Sequence, residues 1–188
     1  VSLLLDQADR LHLGEGLPSV LSIAFAPSIS FAIFGTGAEP VVFAHLLSSF
    51  GYRHVFYSHD RGTVAAASRQ GIRTVELRNL TEVELIDAQT AVALFYHDHD
   101  YELPILQAAL RTPAFYIGAQ GSRATHAARC ARLQEGGASM DQIARVYGPM
   151  GLIPGSRDPK ALAMSVMAEI MATFAQAAPA QCPSKSDG

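Results

Sequence analysis

Three short glycine-containing segments combine free backbone N–H groups with hydroxyl or guanidinium side chains. They are residues 35–37 (Gly-Thr-Gly), residues 118–123 (Gly-Ala-Gln-Gly-Ser-Arg) and residues 155–157 (Gly-Ser-Arg). Glycine lets a backbone approach a ligand closely, and the N-terminus of a following helix favours an anion. The segments are therefore candidate sites for a phosphate or a carboxylate. Ordinary helix starts have the same composition, so both interpretations stay open.

The first segment matches a dinucleotide-binding turn only in part. Gly35 and Gly37 have the spacing of the first two glycines of such a turn, but Pro40 stands at the position of the third. Glu39 also brings a negative charge to the place where a pyrophosphate would bind. A nucleotide-binding turn and a purely structural turn remain possible.

Asp60 and Arg61 follow the second predicted strand, near the position about 20 residues after the glycines where a ribose-binding acidic residue is expected. Asp60 could accept a hydrogen bond from a ribose hydroxyl, and Arg61 could bind a phosphate. Asp60 could equally be the N-cap of the next helix, since aspartate is a favoured N-cap residue.

Histidine and carboxylate side chains follow the fourth predicted strand, in the order His97-Asp98-His99. Two histidines two positions apart can point the same way in an extended segment, which would suit a metal. A third ligand would have to come from a distant segment such as His59. We therefore favour a hydrogen-bonding role for His97 at the sheet edge, where it could act as an acid or base, and predict no metal site.

Alternating strands and helices must position these segments. Apolar runs at residues 30–34, 54–58, 72–77, 91–96 and 114–117 predict five strands, with helical segments between them. The run 91–96 is apolar throughout, as in a parallel strand that is buried on both faces. The pattern predicts the α/β fold class, with a doubly wound parallel sheet and flanking helices.

We expect three parts in the chain: an N-terminal helix (residues 2–13) and linker in 1–29, the α/β domain in 30–176, and a disordered tail in 177–188. Ser139 and Gln142 predict a capping box, and Asp158 before Pro159 predicts the start of a last helix. That last helix is apolar nearly all round. Such a helix is internal or covered by a partner, so we expect its face to be buried in a homodimer or against a client protein.

Composition excludes several classes of protein. Only 16% of the 188 residues are charged, against roughly 25% in average soluble domains, and 49% are hydrophobic, the reverse of a disordered chain. A net charge of −3 provides no basic field for nucleic acid.

Cys130 and Cys182 form no redox or zinc motif, which favours a cytoplasmic location. The longest charge-free stretch, residues 16–38, is interrupted by proline and glycine, so no membrane span is expected.

The order of six motifs resembles the C-terminal Rossmann-like domain of the XdhC/CoxI family, accessory proteins of xanthine dehydrogenase-type molybdoenzymes. The motifs are Phe-Gly-Thr-Gly at 34–37, His-Asp-Arg at 59–61, His-Asp-His at 97–99, Tyr-Ile-Gly-x-x-Gly-Ser-Arg at 116–123, Gly-Pro-Met-Gly-Leu at 148–152 and Asp-Pro-x-x-x-Ala-x-Ser-x-x-Ala-Glu-Ile at 158–170. The resemblance covers residues 31–172. It implies a Rossmann-like fold and an accessory protein or chaperone rather than an enzyme, without catalytic residues.

The resemblance further implies transient binding of molybdenum cofactor, in its molybdopterin or dinucleotide form, help in its sulfuration, and its insertion into a xanthine dehydrogenase-type molybdoenzyme subunit. Carried over by position, the cofactor-binding residues would be Gly35, Gly37, Asp60, Arg61, His97, Asp98, Gly118, Gly121, Ser122 and Arg123. Pro40 and His59 depart from the family pattern, and the N-terminal domain of many members is absent from this sequence. The alternatives are an NAD(P)-dependent oxidoreductase and an interaction module without a ligand.

Overall fold

A six-stranded parallel sheet forms the centre of the computed structural model, which describes residues 3–5, 10–13, 23–24, 28–80, 85–96, 99–156 and 158–177. The strands of this sheet are β4 (Ser30–Gly35), β5 (Arg53–Ser58), β6 (Thr74–Glu76), β7 (Thr90–Phe95), β8 (Tyr116–Ala119) and β9 (Val146–Tyr147). Their order is β6-β5-β4-β7-β8-β9, with every neighbouring pair parallel. This is the strand order of a Rossmann fold, so the predicted fold class is confirmed.

Within the described residues, six helices connect or follow the strands. They are α1 (Ala38–Ser49), α2 (Arg61–Arg69), α3 (His99–Ala109), α4 (Arg123–Glu135), α5 (Met140–Ile143) and α6 (Pro159–Ala177). The local start signals act as predicted: Ser139 and Gln142 form the capping box of α5, and Asp158 accepts a hydrogen bond from the Ala161 N–H at 3.0 Å at the start of α6. Within the described residues, none of the helices is long and apolar enough to cross a membrane.

The sheet is covered on both faces, which accounts for the low charge content. One face carries a core with α1 and α6, including Phe43, Leu47 and Val166. The other face carries a core with α3 and α4, including Leu106 and Leu133. All six residues of β7 are buried, because this strand lies in the middle of the sheet.

The predicted N-terminal helix is wrong where the structure describes the segment. Leu3–Leu5 (β1), Arg10–Leu13 (β2) and Ile23–Ala24 (β3) form a separate three-stranded antiparallel sheet. Leu11 and Leu13 alternate with polar residues, so a strand period fits this short segment as well as the helical spacing on which the prediction rested. The predicted tail lies mostly outside the described residues.

The end of the sheet also differs from the sequence prediction. Strand β8 runs through Gly118 to Ala119 rather than ending at the glycine, because Gly118 pairs with Ala93 on one side and Tyr147 on the other. The partner on that second side is β9, a sixth strand of two residues that was not predicted. A strand this short leaves no periodic signal in a sequence.

The last helix is covered mainly by its own chain. Val166 and Ile170 are fully buried, and α6 packs against α1. Among its large apolar side chains, Met164 is 65% exposed. The alternative of an internal helix therefore holds for Val166 and Ile170, and burial of the remaining face in a homodimer or against a client protein stays a prediction.

Candidate functional site

The candidate site lies at the carboxyl edge of the sheet, where ligands bind in open parallel sheets. The chain order reverses between β4 and β7, which are neighbours although they are not consecutive. We call residues 36–37 and 60–63, which follow β4 and β5, the β4–β5 half of the edge. Residues 120–123 and 148–156, which follow β8 and β9, are the β8–β9 half.

Two different constraints explain the glycines at the end of β4, a close backbone contact at Gly35 and a positive φ at Gly37. A Cβ on Gly35 would lie 2.5 Å from the Phe95 carbonyl oxygen, so the contact with β7 excludes a side chain. Gly37 has φ 86° and is the N-cap of α1 without a side-chain cap. The Glu39 carboxylate folds back beside it, because a Cβ on Gly37 would lie 3.5 Å from Glu39 Oε2. An acidic group thus already lies at this helix N-terminus.

Hydrogen bonds within the protein tie the turn after β5 to the turn after β4. The Asp60 carboxylate caps α2 by accepting from the Thr63 N–H at 2.7 Å and also from the Thr63 hydroxyl. The Thr63 hydroxyl in turn accepts from the Gly37 N–H at 3.2 Å. These bonds hold the pKa of the exposed Asp60 carboxyl below its usual value, and the bond from the Thr63 hydroxyl is the largest cause. The N-cap interpretation of Asp60 is confirmed, and ribose binding stays a prediction.

Arg61 is paired with Glu76, the last residue of β6. Its Nε donates to Glu76 Oε1 at 2.9 Å, and this pairing is the largest cause of a lowered pKa at Glu76. The Arg61 side chain is 80% exposed, so its ion pair lies in water. Phosphate binding by Arg61 would have to compete with Glu76.

The turn after β8 presents a guanidinium at the N-terminus of α4. Gly121, with φ 144°, brings the chain into the helix, and Ser122 caps it by accepting from the Thr125 N–H at 3.0 Å. The exposed Arg123 is the first residue of the helix. Among the described residues, the Arg123 side chain has no ion pair or hydrogen bond. A free cation and a helix N-terminus thus lie side by side.

A buried ion pair holds this turn in place. Arg129 of α4 and Glu102 of α3 lie 2.6 Å apart (Nη2 to Oε1), with side chains only 1% and 3% exposed. The same Arg129 Nη2 donates to the Gln120 carbonyl at 2.7 Å. The backbone before Gly121 is therefore fixed from inside the protein.

The loop after β9 forms the opposite wall. Glu169 of α6 accepts from the Tyr116 hydroxyl at 2.5 Å and from the Gly151 N–H at 2.8 Å. Ser165 accepts from the Ile153 N–H at 2.7 Å. The loop and the turn after β8 enclose a cleft of about 580 Å³, lined by Gln120, Gly121, Ser122, Arg123, Pro149, Met150, Gly151, Ile153, Pro154, Gly155, Ser156 and Leu162. That volume suits a drug-sized ligand.

Packing accounts for Gly118. A Cβ there would lie 2.5 Å from Tyr116 Cε1, since the Tyr116 ring covers this glycine and stacks on Tyr147 with ring centroids 4.6 Å apart. Burial, then the hydrogen bond to Glu169, raises the pKa of the Tyr116 phenol far above its usual value. Contact of Gly118 with a ligand stays a prediction.

Three aromatic side chains between the two halves were not singled out as a group from the sequence. We call His59, Tyr96 and Tyr101 the aromatic cluster; the His59 and Tyr101 rings stack at 3.6 Å between centroids and 6° between planes, and the Tyr96 ring lies 5.6 Å from His59. Buried His59 Nδ1, Tyr96 Oη and Gln120 Oε1 have no hydrogen-bond partner in the described part of the chain. The useful sequence signal is an aromatic residue directly after β5 and another directly after β7, the two strands that flank β4.

The fold places five of the ten predicted site residues in two separate clefts. Gly121, Ser122 and Arg123 share the cleft with Gly155 and Ser156, and Gly37 and Asp60 line a second, shallower cleft. His97 and Asp98 lie outside the described residues, as does Arg157. Within the described residues, no group of three metal-ligating side chains occurs.

Comparison with family models identifies the chain. Residues 31–170 match the XdhC Rossmann domain. The chain belongs to the XdhC family. The family match begins at β4 and ends within α6, so it covers the whole parallel sheet and the cleft described above.

A curated relative supports this assignment. The chain is 36% identical over 149 residues to the molybdenum cofactor insertion chaperone PaoD of Escherichia coli (strain K12), a match that covers 79% of this chain and 41% of the relative. The chain thus spans less than half the length of this relative.

A solved structure has the same fold. It is described as a xanthine dehydrogenase from Bacillus halodurans, with a TM-score of 0.67 and 21% identity, over 90% of this chain and 49% of that one. At this identity the similarity concerns the fold alone.

Proposed function

We propose that this protein binds molybdenum cofactor transiently in the β8–β9 half and passes it to a xanthine dehydrogenase-type molybdoenzyme subunit. The observation that carries the proposal is Arg123, an exposed cation that pairs with nothing in the described residues and stands at a helix N-terminus in a cleft of about 580 Å³. Family membership and the chaperone relative supply the cofactor class.

The chemistry of this cleft suits the anionic end of such a cofactor. The organic part of the cofactor is a phosphorylated pterin. Its phosphate would be held by Arg123 and by the N–H groups of the first turn of α4, because charge-assisted hydrogen bonds and the helix dipole act together there. Ser156 supplies a hydroxyl on the opposite wall. Gly121 keeps the intervening backbone free of a side chain.

The other predicted residues take a secondary place in this proposal. Gly35, Gly37, Asp60 and Gly118 shape the edge of the sheet, and His97 and Asp98 are proposed as cofactor-binding residues from the family resemblance alone. A nucleotide extension of the cofactor would reach toward Asp60. We also propose a cytoplasmic location and a homodimer, each from the sequence and the family resemblance.

The NAD(P)-dependent alternative is weaker because the β4–β5 half is already occupied by the protein's own groups. Glu39 lies at the N-terminus of α1, and Arg61 is paired with Glu76. A pyrophosphate would meet a carboxylate instead of free N–H groups. Calorimetric titration with NAD and NADP should therefore give no saturable heat, and specific binding of either nucleotide would favour the alternative.

Binding of isolated molybdenum cofactor to wild type, Arg123→Ala and Arg111→Ala tests the proposal. Arg111 is an equally exposed arginine before β8, at the opposite edge of the sheet. Loss of one charge-assisted contact, about 1.5–3 kcal/mol, predicts an affinity roughly 10- to 100-fold lower for Arg123→Ala. Arg111→Ala should bind as wild type does.

Transfer is measured by adding the loaded protein to an apo-molybdoenzyme and following recovery of its activity. We expect recovery to fall in parallel with cofactor binding across the three proteins. The proposal fails if wild type binds no cofactor saturably, or if both arginine variants lose binding equally. An interaction module without a ligand would instead bind the molybdoenzyme while giving no response to cofactor.

A further inference from the structure

We propose that the aromatic cluster is the binding site for the pterin ring of the cofactor, and that Tyr101 occupies this site in the ligand-free protein. The inference rests on the proposed function, since that function names the pterin. It adds a second contact, separate from the anion contact at Arg123.

The geometry of the cluster is that of a ring-binding site in which the Tyr101 ring already occupies the position of the ligand ring. His59 and Tyr101 are parallel within 6° at 3.6 Å, which is full stacking contact. Tyr101 is nevertheless 46% exposed and lies in the first turns of α3. Its ring can therefore move into solvent at low steric cost and leave the face of His59 open.

Unpaired polar atoms beside the stack indicate what belongs there. Tyr96 is only 3% exposed, yet its hydroxyl has no hydrogen-bond partner in the described part of the chain, and neither has His59 Nδ1. Buried polar groups are nearly always paired in native proteins, and the Tyr101 ring offers them nothing. A heterocycle with nitrogen and oxygen atoms on its edge would pair them.

Burial also fixes the protonation of the Tyr96 hydroxyl. Its desolvation raises the pKa of this phenol well above the usual range, so it remains an O–H donor at any physiological pH. Gln120 contributes an unpaired acceptor, Oε1, from the neighbouring strand end. A pterin edge carries carbonyl and ring nitrogen acceptors as well as amino and ring N–H donors, and so matches this mixture.

The position of the cluster fits a ligand whose phosphate is bound in the β8–β9 half. Tyr96 directly follows β7, and Gln120 directly follows β8 and lines the cleft that contains Arg123. Because β7 and β8 are neighbours, the cluster and the cleft adjoin. One ligand can therefore contact both.

Binding of neopterin, a free pterin without molybdenum, tests the inference directly. Tyr101→Ala removes the competing ring and should bind neopterin about tenfold more tightly than wild type, given the size of ring-stacking energies. Tyr101→Phe keeps the competing ring and should bind as wild type does. His59→Leu and Tyr96→Phe should bind more weakly than wild type.

The stability of the ligand-free protein separates a ligand contact from a structural role. Tyr96→Phe deletes a hydroxyl that has no partner, so its melting temperature should equal or exceed that of wild type while its pterin binding falls. Tyr147→Phe, in a tyrosine stacked outside the site, should change neither property. A lower melting temperature for Tyr96→Phe would overturn the inference, since it would reveal an internal partner.

Two further results would overturn the inference about the pterin ring and leave the proposed function intact. In one, Tyr101→Ala and Tyr96→Phe bind complete molybdenum cofactor as wild type does, while Arg123→Ala does not. In the other, cytidine or guanosine binds the wild type and responds to these substitutions while neopterin does not, which would assign the cluster to the nucleotide part. Failure of wild type to bind the complete cofactor would instead refute the proposed function.

Discussion

The two halves of the carboxyl edge differ in how far the protein satisfies its own polar groups. In the β4–β5 half, the Gly37 N–H, the Thr63 hydroxyl and the Asp60 carboxylate bond to one another. In the β8–β9 half, Arg123 stands free in the described structure and Gln120 Oε1 lacks a partner. The unsatisfied polar groups therefore lie in the turn after β8 and not in the first turn of the fold, where dinucleotide-binding Rossmann folds hold a pyrophosphate.

The halves also differ in how they are held. An exposed cap, Asp60, holds the β4–β5 half, whereas the groups that support the β8–β9 half are buried or partly buried. Arg129 pairs with Glu102 under the turn after β8, and Tyr116 reaches Glu169 under the loop after β9. Free ligand-binding groups on a buried support are what a preorganised site requires. Substitutions in the two halves should therefore differ in size of effect.

The largest effect is expected at the buried ion pair. Arg129→Met leaves the Glu102 carboxylate buried without its guanidinium and should lower the free energy of unfolding by about 3–5 kcal/mol. Urea denaturation measures this value. The double variant Glu102→Leu with Arg129→Met should recover most of the loss, since no charge then remains buried.

Surface ion pairs contribute up to about 1 kcal/mol to the free energy of unfolding. If Arg129→Met alone lowers that free energy by less than this, the two halves do not differ in how they are supported. Cofactor affinity of the double variant provides a second measurement. The double variant lacks the Arg129 contact with the Gln120 carbonyl, so it should bind more weakly than wild type even when fully folded.

A smaller loss is expected beneath the loop of the β8–β9 half. Tyr116→Phe deletes the hydroxyl that donates to the Glu169 carboxylate, and hydrogen bonds to charged groups contribute about 1.5–3 kcal/mol. The Gly151 N–H still reaches Glu169, so the fold should persist with a looser loop. Limited proteolysis near Ile153 should become faster, and denaturation should register the loss of stability.

Tyr147→Phe is the matched control for this substitution. Tyr147 stacks on Tyr116 and is 37% exposed, so removal of its hydroxyl should change stability by less than about 0.5 kcal/mol. Equal losses for both variants would mean that the bond to Glu169 contributes no more than any phenol hydroxyl of this stack, and so does not support the loop.

Local signals explain which parts of this molecule the sequence could predict. Asp60, Ser139 and Asp158 act as helix caps because a cap depends on residues within one turn. Most strands of the parallel sheet carry apolar runs and were predicted, and only the two-residue β9 was not predicted. The N-terminal segment was assigned the wrong period, since a short run of leucines fits a helix and a strand alike.

Long-range pairing explains most of what could not be predicted. Nothing near Arg61 in the sequence indicates that Glu76, on another strand, neutralises it. His59 and Tyr101 stack although 42 positions separate their numbers, because β5 and β7 both flank β4. The motifs located the edge of the sheet correctly, but only the structure distinguishes the satisfied half from the unsatisfied one.

The smallest effect is expected in the β4–β5 half, and it should depend on pH. The lowered pKa of Asp60 means that its carboxylate stabilises the folded state fully above the unfolded value, near 3.8, and loses this contribution as the pH falls through the lower folded value. Asp60→Ala should therefore melt at a lower temperature than wild type at pH 7. The difference should shrink below pH 3.8, as the wild-type carboxyl becomes protonated.

Melting curves of wild type, Asp60→Ala and Glu135→Ala between pH 7 and pH 3, within the range where each refolds, test this dependence. Glu135 is an exposed carboxylate at the end of α4 that caps no helix, so its removal should shift the melting temperature little at any pH. A difference for Asp60→Ala that is as large at pH 3 as at pH 7 would mean that the ionised cap does not hold this half. We expect the melting-temperature difference between wild type and Asp60→Ala to disappear at low pH. That result would confirm that the ionised Asp60 carboxylate closes the β4–β5 half, as expected if the ligand binds in the other half.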